Sequence, residues 1–150
     1  MSAHSQADDQ LNIRQAVPFF RVNDIIKSIR FYEQGLGFKL TNQWMDKGVL
    51  RWCLLERDGV NVMLQEFGDL WHGKPSPQKG KGLGVSICFI CRDAVHLYQE
   101  FKARNVDSTL PFVGNGMWVT SVKDPDGYDL QFESYTNVPE GTEWSGDEGR

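Results

Sequence analysis

Two cysteines near the middle of the chain have a spacing that can carry redox or zinc chemistry. Cys88 and Cys91 form a C-x-x-C pair, which serves elsewhere as a redox disulfide or as half of a zinc site. They lie inside an apolar run from Val85 to Cys91 that is typical of a β-strand, and residues three apart in a strand point to opposite faces. A redox pair also needs a helix N-terminus to lower the thiolate pKa. We therefore predict two buried structural thiols.

Four strands and one helix are predicted in each half of the chain. Asp24 and Asp93 are predicted to cap the two helices, which end at Gly35 and Asn105. The strands are predicted at 16–22, 38–45, 49–56 and 60–66 in the first half, and at 85–91, 108–113, 117–122 and 129–134 in the second. This element order predicts an α+β domain built from two βαβββ modules.

An internal repeat supports the division into modules. Asp24 and Asp93 are 69 residues apart, and Gly59 and Gly127, each in an Asp-Gly turn, are 68 apart. We predict one domain over 14–136, with modules 14–67 and 83–136 joined by a Gly/Pro/Lys-rich linker at 68–82. Residues 1–13 are predicted to be a disordered tail, and 137–150 an acidic C-terminal tail that is mobile unless it docks.

Composition excludes several classes of function. The net charge of -4, with no basic stripe, argues against nucleic-acid binding, although a mildly acidic surface tolerates a cationic small molecule. No apolar run approaches the ~20 residues that span a bilayer, and the polar start is not a signal peptide. Three cysteines are a poor disulfide framework and suit a reducing compartment, so we predict a cytoplasmic protein.

Two stretches of the chain resemble the vicinal-oxygen-chelate superfamily, which includes glyoxalases, dioxygenases and bleomycin-resistance proteins. The first is the run from Ala16 to Asp24 with the later Gly35-Leu36-Gly37-Phe38, and the second is the run from Asp124 to Glu133. The resemblance covers roughly residues 14–136 and implies curved mixed sheets around a cavity. Because the superfamily holds both metalloenzymes and metal-free binders, the residues of the site must decide the function.

The resemblance places the metal ligands of the catalytic members at four positions. Here these positions are Val17, Met63, Gly84 and Gln131, of which only Gln131 offers an ordinary ligand atom. We therefore expect no metal and no cofactor. A shifted site with Glu66 and Glu133 is disfavoured, because Glu66 is three positions from Met63 and so faces the other side of the strand. The three histidines lie in the N-terminal tail, in the linker and on the outward side of the second helix.

Strand alternation in the same register predicts which residues face the cavity. The face is aromatic and apolar with a few polar groups, as in many small-molecule pockets. The predicted ligand-binding residues are Phe19, Arg21, Trp52, Asn61, Met63, Ser86, Trp118, Gln131 and Glu133, and Cys88 shares their face. No catalytic residue is singled out. Phe19, Met63 and Trp52 are equally ordinary core residues, and Arg21 and Glu133 could form a buried pair.

These residues favour a metal-independent protein that binds and sequesters a small molecule, such as a bleomycin-like antibiotic. The main alternative is a metal-dependent lyase, isomerase or dioxygenase of the same superfamily with non-standard ligands. A metal-free acid/base enzyme that uses Glu133 also stays open. The resemblance further implies a homodimer.

Overall fold

The computed structural model describes residues 11–66, 70–71, 74–75 and 81–146. Most of the predicted linker, His72 and the ends of both predicted tails lie outside the described residues, and of 70–71 and 74–75 only the strands are described. The described residues form two four-stranded sheets and one two-stranded sheet. No helix in the described part of the chain has the length and apolarity needed to cross a membrane.

The first module has the predicted order of elements. Its elements are β1 (Phe19–Arg21), α1 (Ile25–Arg30) continued by a π-helical turn (Phe31–Gly35), β2 (Lys39–Asp46), β3 (Val49–Arg57) and β4 (Val60–Gln65). The Asp24 side chain accepts a hydrogen bond from the Lys27 amide, as the sequence predicts for a helix cap. The strand order is β1-β4-β3-β2, with β1 parallel to β4.

The second module repeats this topology after a two-stranded antiparallel sheet formed by β5 (Leu70–Trp71) and β6 (Lys74–Pro75). Its elements are β7 (Ser86–Ile90), α2 (Ala94–Ala103), β8 (Phe112–Gly114), β9 (Met117–Lys123) and β10 (Asp129–Tyr135). Asp93 caps α2 by accepting from the His96 amide. The strand order is β7-β10-β9-β8, again with the first and last strands parallel. The predicted α+β fold of two βαβββ modules is confirmed.

The helical segment of the first module is one residue longer than that of the second, and the π-helical turn accommodates the extra residue. The Leu36 amide donates to the Phe31 carbonyl, five residues back, where the Arg104 amide donates to Glu100, four residues back. The left-handed residue that follows the helix is Gly37 in the first module and Asn105 in the second. These lie 13 and 12 residues after their capping aspartates, which explains why the repeat changes from 69 to 68 residues.

A single core joins the two modules. Phe20, Leu64 and Tyr32 of the first module belong to the same buried cluster as Leu130 and Phe132 of the second. Phe20 stacks on Tyr128 with ring centroids 4.3 Å apart.

Polar contacts also cross this junction. The Tyr32 hydroxyl donates to the Asp124 carboxylate at 3.0 Å, and Arg57 Nη1 donates to Glu100 at 2.7 Å. Burial, with the nearby Asp124, raises the Tyr32 pKa well above its ordinary value. The two modules are thus held by both apolar packing and buried hydrogen bonds.

The described part of the predicted acidic tail, residues 137–146, packs against the second module. Val138 and Trp144 contact the small cluster formed by Ala94, Val95, Val113 and Trp118, and the Trp144 ring lies 5.6 Å from that of Tyr98. The Trp144 amide donates to the Pro111 carbonyl. Two apolar anchors therefore hold a segment whose composition alone suggests a mobile end.

Candidate functional site

Each sheet has one face covered by its helix and one face turned away from it, which we call the open face. In the first module Val62 and Leu64 of β4 are buried with Ile25 and Ile29 of α1. Because side chains alternate along a strand, Asn61, Met63 and Gln65 lie on the open face. Cross-strand partners share a face, so the pairing of the strands assigns the remaining residues.

The open face of the first module is mainly apolar. Phe19 is paired with Met63 on β4, and Met63 with Leu54 on β3. Trp52 on β3 pairs with both Gln65 and Trp44. Phe19 and Trp44 are each 51% exposed, which leaves broad aromatic surfaces open for stacking.

The open face of the second module is mainly polar. Ser86 pairs with Asp129, Cys88 with Gln131, and Ile90 with Glu133. The Ser86 hydroxyl donates to the Asp129 carboxylate at 2.5 Å, and Gln131 Nε2 donates to the same oxygen at 3.2 Å. Lys123 forms an ion pair with Asp129 at 3.6 Å, so this carboxylate is partly neutralised.

Two predicted ligand-binding residues are not accessible on the open face. Trp118 is 1% exposed and packs with Ala94 and Val95 beneath α2, so its predicted place at the cavity is wrong. The residues from Met117 to Thr120 are all buried, and the strand therefore gives no alternating signal to fix its phase. Arg21 lies on the predicted face but is only 8% exposed. Its carbonyl accepts a hydrogen bond from the Tyr128 hydroxyl.

The strand register revises one of the four expected metal positions. Phe19 pairs with Met63 and Cys88 pairs with Gln131, so the counterpart of Val17 is Ser86, two residues beyond the predicted Gly84. Gly84 instead ends the turn before β7, with a φ of +74°. The four positions thus carry a valine, a methionine, a serine and a glutamine.

This donor set does not fit a divalent metal ion. A first-row metal needs several converging imidazole, carboxylate or thiolate groups. No cluster of three or more His, Cys, Asp or Glu side chains suited to a metal occurs in the described ranges. The Glu66 carboxylate lies on the helix side, where it accepts from the Ile25 amide at 2.9 Å and pairs with Arg51 at 3.3 Å. Glu66 is therefore occupied as a second cap of α1.

The cysteines differ in exposure. Cys88 is exposed on the open face, so the prediction that it is buried is wrong, whereas Cys91 is half-buried. Partial desolvation and the neighbouring Glu133 raise the pKa of the exposed Cys88 to about 11, and burial raises that of Cys91 to about 11. At neutral pH both thiols are therefore protonated and weak nucleophiles.

A groove of about 600 Å³ runs between residues 15–18, which precede β1, and β7, which is an edge strand of its sheet. Val17, Asn61, Ser86 and Cys88 all line it. The structure therefore brings Asn61 and Ser86 to one groove, while Met63, Trp52, Gln131 and Glu133 lie on the two flanking open faces. Sequence reasoning missed Lys123 and Leu54, which only the strand pairing places on these faces.

Comparison with known proteins gives the same fold. Residues 13–132 match the family model of the Glyoxalase/Bleomycin resistance protein/Dioxygenase superfamily, and the chain belongs to this family. No curated protein matches the chain.

Solved structures at low identity share the architecture. A glyoxalase/bleomycin resistance protein/dioxygenase from Nocardioides is 14% identical with a TM-score of 0.63, and 97% of each chain is covered. TnmS3, an antibiotic binding protein from Streptomyces sp. CB03234, is 19% identical with a TM-score of 0.61, over 85% of this chain and 100% of that one. A protein from the mobile metagenome of V. Pseudocholerae is 22% identical with a TM-score of 0.59, over 85% and 98%.

Proposed function

We propose that this chain binds and sequesters a small aromatic molecule between its two open faces, without a metal ion. The observation that carries the proposal is the donor set at the four family metal positions, Val17, Met63, Ser86 and Gln131. These side chains cannot hold a catalytic metal of the kind that the enzymes of the superfamily use. They suit a ligand that needs apolar contact on one side and hydrogen bonds on the other.

The chemistry of the two faces indicates an amphipathic ligand. Phe19, Trp52 and Met63 offer stacking and apolar contact, while Ser86 and Gln131 offer hydrogen bonds. Aromatic stacking adds about 0.5–1.5 kcal/mol to the burial of a ring. Glu133 adds a carboxylate to the polar side, which favours a ligand that carries a cation or several hydrogen-bond donors.

The titratable groups support binding over covalent catalysis. The Cys88 thiol, with its pKa raised to about 11, is not an activated nucleophile. Asp124 has its pKa raised to about 6 by burial, but it contacts Tyr32 on the helix side and not the open face. The antibiotic-binding description of TnmS3 is consistent with this proposal.

The proposal includes a homodimer. The β2–β3 hairpin carries exposed apolar side chains, among them Trp44 at 51%, Met45 at 48% and Val49 at 47% exposure. Exposed apolar surface of this kind is typical of protein interfaces. Light scattering after gel filtration tests the dimer: a monomeric mass at micromolar concentration contradicts it, whatever the outcome for ligand binding.

A thermal-shift screen tests the binding function. Protein purified without chelator is first analysed for Ni, Zn, Fe and Mn, and then screened against a bleomycin-type glycopeptide and an anthracycline. A ligand at about 100 times its Kd stabilises the fold by about 2.7 kcal/mol, which raises the Tm by about 5–10 °C for a chain of this size. Near-stoichiometric metal that is required for binding, or turnover of the ligand, would contradict the proposal and favour a metal-dependent enzyme.

Tryptophan fluorescence locates the binding event. We expect a bound aromatic ligand to quench Trp52, so that Trp52→Phe loses a large part of the quenching. Trp144→Phe is the matched control, because Trp144 packs against Tyr98 on the helix side. Equal quenching in the two variants would place the ligand away from Trp52.

A further inference from the structure

A second cavity lies at the junction of the two modules, beside the start of α2. It has a volume of about 520 Å³, within the range of small-molecule sites. Phe38 and Asp58 contribute from the first module, and Arg92, His96 and Leu97 from the second. The cavity shares Val60, Phe89 and Ile90 with the groove described above, but its other walls are separate. We refer to it as the junction cavity.

Three phenylalanines form the apolar side of the junction cavity. Phe38 and Phe132 are buried, at 4% and 6% exposure, and Phe89 is half-buried, so the Phe89 ring is the main aromatic surface that faces the cavity. The rings of Phe89 and Phe132 are stacked with centroids 5.0 Å apart, and those of Phe38 and Phe89 are 6.4 Å apart. Such a surface favours a flat aromatic ring, because stacked and edge-to-face contacts both become available to it.

The charges around the cavity leave one cation available. Arg57 is neutralised by two carboxylates: Glu100, with Nη1 to oxygen at 2.7 Å and Nη2 to oxygen at 3.1 Å, and Asp58, with Nε to oxygen at 3.5 Å. Arg57 also donates to the Leu36 carbonyl. The Asp93 carboxylate accepts the His96 amide at 2.9 Å. Arg92 is exposed and forms no ion pair with the part of the chain that the structure describes.

Three amides at the start of α2, those of Ala94, His96 and Leu97, already have acceptors, so we assign the recognition of a ligand to side chains. The Ala94 amide donates to the Ser134 hydroxyl at 2.9 Å, and the Leu97 amide to the Asp93 carbonyl. An anion at this rim would therefore meet the Arg92 guanidinium, with the His96 imidazole as a further donor. Guanidinium groups bind carboxylates through two parallel hydrogen bonds.

We infer that the junction cavity is a second binding site, which takes a small aromatic carboxylate. The ring lies against Phe38, Phe89 and Phe132, and the carboxylate pairs with Arg92 at the rim. This inference is independent of the proposed function, whose ligand contacts the open faces. It also requires a ligand of opposite charge to the cationic or donor-rich ligand that Glu133 favours there.

An NMR titration with 2-naphthoate, and with the neutral 2-naphthamide for comparison, tests the inference. We expect 2-naphthoate to shift the amide signals of residues 92–97, which do not line the groove. Loss of a charge-assisted hydrogen bond is expected to weaken binding about tenfold or more. Arg92→Gln should therefore bind 2-naphthoate at least about tenfold more weakly and 2-naphthamide equally well.

Arg30→Gln is the matched control, because Arg30 is an exposed arginine at the end of α1 that does not line the cavity. It should leave both affinities unchanged. Equal affinity of the wild-type protein for the two probes, shifts confined to Val17 and residues 86–88, or no saturable binding at millimolar probe would each overturn the inference. The thermal-shift screen tests only the ligand of the open faces, so the proposed function and the junction-cavity site can each be contradicted without the other.

Discussion

The two modules share their helix sides and differ in their open faces. Asp24 and Asp93 cap the helices in the same way. The first helical amide donates to Glu66 in one module and to Ser134 in the other, at equivalent positions near the end of the last strand. The two modules thus use the same kinds of capping hydrogen bond, even where the residue type differs.

On the open faces three pairs of equivalent residues change from apolar in the first module to more polar in the second. Val17 corresponds to Ser86, Phe19 to Cys88, and Met63 to Gln131, as the strand pairing shows. One module presents an apolar wall and the other a polar wall. The difference teaches that the helix sides fix the fold, whereas the open faces are free to diverge towards a ligand that has two unlike sides.

Removal of Trp118 should have the largest effect on stability and tests the assignment of faces. Trp118→Ala opens a cavity under α2 and is expected to lower the free energy of unfolding by about 3–5 kcal/mol. Trp52→Ala, on the half-buried open face, should cost clearly less. Urea unfolding measures both. The milder Trp118→Phe is the control, because it keeps the ring and removes an indole N–H that has no hydrogen-bond partner among the described residues. Equal losses for the two alanine variants would refute the assignment.

The next prediction concerns the turns before the last strands. Asp124 is buried and accepts from the Asp126 and Tyr128 amides, whereas its counterpart Glu56 is half-buried and accepts from the Gly59 amide. Burial raises the pKa of Asp124 from 3.8 to about 6. Between these values the folded protein binds more protons than the unfolded chain, so stability from this group is present at low pH and lost as pH rises.

Asp124→Asn cannot ionise and should not show this loss. Relative to the variant, the wild-type protein should lose about 2 kcal/mol of unfolding free energy between about pH 4 and about pH 7. Urea unfolding at the two pH values measures the difference, and Glu56→Gln serves as the matched control from the first module. A constant difference, or one of the opposite sign, would show that Asp124 does not titrate in this way.

An exchange of Met63 and Gln131 tests the two walls directly. Gln131→Met should weaken binding of the screened ligand about fivefold to tenfold by removing one hydrogen bond. Met63→Gln should weaken it by a similar factor through lost apolar contact. Calorimetric titration gives the affinities, with Ile26→Gln on the exposed side of α1 as control. Unchanged affinity in both variants would show that the unlike walls do not contact the ligand.

The smallest effects on stability are expected at the helix caps, which the two modules share. Asp24→Ala and Asp93→Ala should each lower the free energy of unfolding by about 1 kcal/mol, because each removes one helix cap. Chemical unfolding of the two single variants, with Asp46→Ala in the exposed β2 strand as control, measures this. A large inequality between the two caps would contradict the view that the helix sides are equivalent.

The fold was predictable because its signals are local. Asp24, Asp93 and the Asp58-Gly59 turn each act through neighbouring backbone, and each is found where the pattern predicts it. The docking of residues 137–146 was harder to predict from the sequence, because Val138 and Trp144 pack against residues that are distant in sequence.

The candidate site was only partly predictable, because its residues depend on strand phase and on pairing between distant strands. Phe19, Asn61 and Met63 lie on the sheet face that alternation along their strands predicts, and their contact with a ligand stays a prediction. Trp118 was misplaced because β9 is buried on both faces. The position of Ser86 required the parallel register between β7 and β10, which no local pattern contains.

The π-helical turn at Phe31–Gly35 has a consequence for how this chain tolerates changes in length. One added residue in a regular helix rotates everything beyond it by about 100°, which would turn buried side chains towards solvent. Here the wide turn takes up that residue, and Gly37 still leads into β2 as Asn105 leads towards β8. Deleting one residue from this turn should convert it into an ordinary α-helix and leave the downstream strands in place. The helix can therefore absorb a one-residue change in length without a change in either sheet.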